Sequence, residues 1–156
     1  MPSPILLDTN LLVLLVVGLA DPSYIPIHKR LSVYDQKDFE IVSGFVADSD
    51  KLIICPNVTT ETSNLIRYID EPARSHISSV FATMIERVEE NYVPSINAAS
   101  LPEHSRLGIT DSVLLLLAEN HATLLTADVG LYLAASKRNL SVVNYNHVRA
   151  RRPDYS

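Results

Sequence analysis

Cysteine is almost missing from this chain: Cys55 is the only one. No internal disulfide can staple the fold, so its stability has to come from packing. A solitary thiol in the apolar stretch "LIIC" reads as a small buried hydrophobe and suits a reducing cytosol. Long hydrophobic runs are also lacking. The stretch "LLVLLVVGLA", residues 11–20, is about half of the roughly 20 residues that a membrane span needs. No basic segment precedes it, and Asp8 interrupts its upstream extension. The run is therefore expected to be core rather than a signal or an anchor, in a soluble cytoplasmic protein with no membrane partner. Repeats, low-complexity tracts and internal linkers are absent. The histidines, His28, His76, His104, His121 and His147, show no ligand spacing, so none is assigned to a metal.

What remains is an apolar-rich chain of 156 residues, 47% hydrophobic, which suits a single domain over residues 1–148 and a basic tail, 149–156, expected to fray. Short apolar runs alternate with longer helical patterns, the signature of an α/β domain with a parallel sheet. Residues 4–8 read as a first strand and residues 10–18 as a buried helix, followed by the breaker "ADPSYIP". A second helix is expected over 35–47, starting at Asp35. "KLIIC", 51–55, reads as a buried strand closed by Pro56. Val58, Thr62, Leu65, Ile66 and Ile69 share one helical face, which predicts a helix over 58–69. A longer helix is expected over 73–91, then a loop through "YVPSINAASLPEHS". "TDSVLLLLAEN", 110–120, reads as a helix apolar almost all round. "ATLLTAD", 122–128, reads as a strand ending in an acid, 129–139 as a helix and 141–145 as the last strand.

The acids decide the functional reading. Ligand sites of open parallel sheets form beyond the carboxyl ends of the strands, and Asp8 and Asp128 both follow strands there. Asp8 is a carboxylate in the apolar run "ILLDTNLL", and burying a carboxylate is costly unless something compensates it. Glu61 falls on the shoulder of the buried face of its helix, and Asp111 opens the apolar helix on the side of Leu114, Leu115 and Ala118. Each acid has a plainer role. Asp111 and Glu61 could stabilise helix N-termini, the latter beside Thr59 or Thr60; Asp128 could be a turn residue; Asp8 could bond its own turn. Together they predict four carboxylates around one pocket. Two unit charges about 4 Å apart repel by roughly 4 kcal/mol at an effective dielectric near 20, so such a cluster calls for cations. Hard oxygen donors in an open site suit Mg²⁺ or Mn²⁺, which serve phosphodiester hydrolysis by two-metal water activation.

The segments "ILLDTNLL", "PNVTTETSNL", "LGITDSVLLLLA" and "LLTADVGLYLAA" with "VVNYNHVR" resemble the PIN-domain nucleases, among them the toxin ribonucleases of toxin–antitoxin pairs. The four segments span almost the whole chain in that family's order. The resemblance implies a PIN-like three-layer sandwich, a parallel sheet of roughly five strands flanked by helices on both faces. It makes Asp8, Glu61, Asp111 and Asp128 the catalytic, metal-binding acids, with Asn10 and Thr126 as supporting polar residues. It further implies a Mg²⁺- or Mn²⁺-dependent endoribonuclease acting on RNA, often a homodimer, with a small antitoxin protein as partner. One feature departs from the shortest toxins: the insert from about Ala20 to Asp38, which contains "IPIHKRLSVYDQ".

Net charge is −5, which argues against indiscriminate nucleic-acid binding. The charge is uneven, however: no acid lies between Asp128 and Asp154, where Lys137, Arg138, Arg149, Arg151 and Arg152 fall. Lys137, Arg138 and Arg149 are the candidate RNA contacts, with "HKR", 28–30, as a smaller cluster; a solvated face and a loose tail explain such residues equally well. Tyr145 and Tyr155 are candidates for stacking on bases, although Tyr145 suits packing better. Haloacid-type phosphotransferases want a second acid where Asn10 stands, and receiver domains want paired acids before the first strand ends. The alternative from another class is a non-catalytic PIN-like scaffold binding RNA or protein.

Overall fold

A computed structural model describes residues 2–154. Strand β1 (Ile5–Leu7) is buried throughout and leads directly into α1 (Thr9–Ala20), whose residues Leu11 to Gly18 are all buried. A helix apolar on every side must be covered on every side. Helices α2 (Gln36–Asp48), α3 (Pro56–Leu65) and α4 (Ala73–Arg87) and a 3-10 turn at Pro22–Ile27 supply that cover. Gly18 permits the close approach to α2, because a Cβ there would overlap the Phe39 ring. Among the described residues no helix is long and apolar enough to cross a membrane.

The second half contributes β4 (Thr123–Thr126) and β5 (Val142–Asn144). They pair in parallel with β1 in the order β1-β4-β5, with Leu7 opposite Leu125 and Thr126 opposite Asn144. Strands β2 (Ile53–Ile54) and β3 (Glu89–Glu90) form a separate two-stranded parallel sheet. A single bridge, Ile5 to Leu52, links it to β1. The α/β class with parallel strands is thus present, but the expected five-stranded sheet is not: the described strands fall into a sheet of three and a sheet of two. Two-residue strands make too few ladder bonds to extend the larger sheet. Helix α7 (Ile109–Ala118) packs on α3 and β4, and on the short helices α5 (Ser95–Ala99) and α6 (His104–Leu107); α8 (Val129–Lys137) packs on β4 and β5.

Several boundaries depart from expectation. The helix expected over 73–91 stops at Arg87, and Glu89–Glu90 form β3. The helix expected over 58–69 begins at Pro56 and ends at Leu65, although Ile66 and Ile69 stay buried in the turn beyond it. The stretch expected as a loop contains α5 and α6.

The largest correction concerns the basic tail. Residues 145–150 form helix α9 (Tyr145–Ala150), and Arg152 is buried. Its guanidinium donates to Asp38 Oδ1 at 2.9 Å and to both carboxylate oxygens of Asp35 at 3.0 Å. Arg149 reaches Asp38 Oδ2 at 2.8 Å, and the Tyr145 hydroxyl donates to Asp38 Oδ1 at 2.7 Å. Burial, then the bond to Asp38, drives the Tyr145 hydroxyl pKa far above its ordinary value. Asp35 and Asp38 also form the reciprocal capping box that starts α2. Instead of fraying, the segment through Asp154 is clasped to α2, because a fully buried carboxylate needs cationic partners.

Candidate acidic site

Two strand ends and two helices bring the predicted acids together. Asp8, directly after β1, is the N-cap of α1: its Oδ1 accepts from the Leu11 N–H at 3.0 Å. Its Oδ2 accepts from the Thr126 hydroxyl at 2.5 Å and from the Ala127 N–H at 2.8 Å. Thr126, buried at the end of β4, accepts in turn from the Asp128 N–H at 2.9 Å. One hydroxyl therefore joins two acids that lie 120 residues apart, its proton directed at Asp8. Asp128 caps α8 through Oδ1, which accepts from the Leu131 N–H at 2.8 Å, and its Oδ2 makes no hydrogen bond among the described residues. Its plainer turn role is thus real and uses only one oxygen.

Glu61 lies in the second turn of α3 rather than the first, so it does not serve the helix N-terminus. The Thr110 hydroxyl at the start of α7 donates to its Oε2, tying α3 to α7. Asp111, in the first turn of α7, makes no hydrogen bond among the described residues. Asp8, Asn10, Glu61, Asp111 and Asp128 all line one open cavity of about 420 Å³, together with Thr9, Arg30, Asn64 and Leu65. Asn10 is exposed at the second position of α1 and faces this cavity; the cap is Asp8, so Asn10 does not serve as one.

The four cavity carboxylates lie close enough to interact, with no ion pair to offset them among the described residues. Asp111 has its pKa pushed up to about 7, first by burial and then by the charges of Asp128, Asp8 and Glu61. Burial raises the Asp8 pKa as well, against the lowering effect of its three hydrogen bonds. The comparison with Asp38 is instructive. Both carboxylates are buried, yet Asp38 holds Arg149 and Arg152, whereas none of the four cavity acids forms an ion pair among the described residues. Asp38 is a finished structural centre; Asp8 has only neutral donors around it.

The donor set consists of hard carboxylate oxygens with unmet negative charge, which fits a divalent cation such as Mg²⁺ or Mn²⁺. Among the described residues no three His, Cys, Asp or Glu side chains close on a common point as a ready-made ion site does. One oxygen of Glu61 is taken up by the Thr110 hydroxyl and one of Asp8 by the Thr126 hydroxyl.

The candidate RNA contacts are not at the cavity. Arg138 is bound to Glu103 and Glu119, Arg149 to Asp38, and Lys137 is exposed in the last turn of α8. Tyr145 is fully buried and packs; Tyr155 lies outside the described residues. The cavity's basic residue is instead Arg30, from the minor "HKR" cluster. Asn64 was not anticipated either, and its one signal is a spacing of three from Glu61 on the same helix. Searches against protein-family models and against curated proteins return no match to the chain.

Proposed function

We propose that the protein is a metal-dependent nuclease of the PIN type, an endoribonuclease that hydrolyses RNA phosphodiester bonds at the acidic cavity. One observation carries the reading: four carboxylates from the end of β1, α3, α7 and the β4–α8 turn line a single cavity, and none of them forms an ion pair among the described residues. A folding liability of this kind is expected where a cation is part of the working state. The order of the four sequence segments, which resembles the PIN-domain nucleases with their three-layer sandwich, supports the same reading.

In that reading Asp8, Asp128, Asp111 and Glu61 would hold Mg²⁺ or Mn²⁺, which would supply Lewis acidity for activating a water and for offsetting charge on the leaving oxygen. The chain's own residues set the geometry. Thr126 and the Ala127 N–H fix the Asp8 carboxylate, the α8 N-terminus fixes Asp128, and Thr110 restrains Glu61. Asn10 offers a neutral amide on the rim, able to orient a substrate oxygen or a water without adding charge. A homodimer and an antitoxin partner belong to the toxin branch of the resemblance.

The test is cleavage of RNA by the purified protein. Cleavage is expected with Mg²⁺ or Mn²⁺ and not in chelator, and Asp8→Asn is expected to abolish it while circular dichroism stays unchanged. Undiminished cleavage by Asp8→Asn and Asp111→Asn refutes the assignment. Absence of both cleavage and calorimetric metal binding favours the non-catalytic scaffold. Growth arrest on expression, relieved by Asp8→Asn, is the result expected of a toxin.

A further inference from the structure

An acidic cavity repels a phosphodiester chain unless a cation holds the chain at its rim. Of the basic residues nearest the end of the sequence, Arg138, Arg149 and Arg152 are held by carboxylates, and the exposed Lys137 and Arg151 do not line the cavity. Arg30 differs from both groups. It is exposed, it lines the acidic cavity, and its guanidinium forms no ion pair among the described residues. It lies over the Tyr68 ring instead, 5.5 Å from the ring centroid.

The segment that carries Arg30 is built to keep it there. His28 is buried, and its Nδ1 accepts from the Arg30 backbone N–H at 3.2 Å. Its Nε2 then donates to the Ile66 carbonyl at 3.2 Å. The Lys29 N–H donates to the Tyr68 carbonyl at 3.1 Å. Two connections thus bind residues 28–30 to residues 66–68, just past the end of α3, the helix that bears Glu61 and Asn64. A merely solvated arginine does not need a buried histidine beneath its backbone.

We propose that the Ala20–Asp38 insert supplies the phosphate anchor of this site: Arg30 binds a phosphate of the RNA chain at the cavity rim, and Tyr68 and His28 position it. The inference rests on the nuclease reading. A planar guanidinium with unspent donors suits bidentate phosphate binding, and a ring beneath it restrains the side chain without neutralising it. Tyr68 and His28 act through Arg30 and are positioning residues.

The experiment follows steady-state cleavage of a fluorescein-labelled single-stranded RNA, with affinity measured by anisotropy in Ca²⁺ across a salt series. Arg30→Ala is expected to raise KM about tenfold with kcat nearly unchanged, and to reduce the slope of log affinity against log salt by about one. Arg30→Lys restores the salt slope and part of the affinity, Tyr68→Phe behaves as the parent, and Tyr68→Ala falls between. Lys29→Ala, a neighbouring exposed cation that does not line the cavity, changes neither parameter. An Arg30→Ala variant that changes stability or metal affinity while its RNA salt slope stays parental overturns the anchor. Should Arg30→Ala disturb the fold by circular dichroism, Arg30→Gln carries the same expectations. An Arg30 variant with parental KM and salt slope, or with reduced kcat and parental KM, overturns the anchor and leaves the nuclease reading standing. A parent protein that neither binds nor cleaves RNA overturns both.

Discussion

Replacing Asp111 by Asn should stabilise the metal-free protein, an unusual direction for a residue lining a candidate site. The Asp111 pKa is raised from 3.8 to about 7 by burial and by three neighbouring carboxylates. The folded protein therefore keeps a proton that the unfolded chain has released, and this contribution is present at low pH and lost as pH rises through about 7. A shift of about three units corresponds to about 4 kcal/mol. Asp111 is only partly buried, so solvent screening cuts this to about 2 kcal/mol. The amide has nearly the same shape, carries no charge and gives up no hydrogen bond, since Asp111 makes none among the described residues. In chelator at about pH 8, Asp111→Asn should melt roughly 4–8 °C above the parent. Near pH 4 the gap should shrink to under about 1 kcal/mol, because the parent carboxyl is then protonated when folded and largely so when unfolded. Adding Mg²⁺ should raise the melting temperature of the parent more than that of the variant. Thermal unfolding by calorimetry reads all three. A variant no more stable than the parent at pH 8 in chelator, or a gap independent of pH, refutes the electrostatic argument.

Arg152→Ala should destabilise by about 3 kcal/mol in denaturant titration, since it leaves the buried Asp38 with one cationic partner fewer; a change below about 0.5 kcal/mol, the size expected of a loose surface residue, contradicts the clasp. Thr126→Val should lose about 2 kcal/mol and most of any metal affinity, because the Asp128 N–H loses its acceptor and Asp8 a donor. Thr126→Ser should recover both, and calorimetry with Mn²⁺ distinguishes a lost hydroxyl from a merely altered volume.

Local chemistry made much of this molecule readable before any coordinates. The uninterrupted apolar run from Leu11 predicts a helix covered on all sides, Asp35 marks the start of α2, and Asp8 and Asp128 follow strands that run in parallel. What escaped was pairing across long stretches of chain. Strand β3 consists of two exposed glutamates, a residue type depleted in strands, so no pattern announces it. Arg149 and Arg152 read as part of a basic patch because Asp38, the buried carboxylate they share, is more than a hundred residues away. Arg30 looked minor for the same reason: its importance comes from Tyr68 and from the cavity, and neither is visible in the triplet "HKR". The four acids were legible as a set only because strand ends and an apolar helix face each aim one of them at the same edge.

The bond from Thr126 to Asp8 spans 118 positions of sequence, and the bonds that compensate Asp38 span 111 and 114. Contacts of this range form slowly, because the loop must close before any of them contributes. Order in time follows from this. While the chain is being made, Asp8 emerges early and has no hydroxyl to hold it until β4 arrives, and Asp38 waits for its arginines longer still. A partly synthesised chain thus contains every piece of the first half of the cavity and no assembled cavity, so the proposed chemistry would have to await the second half of the chain.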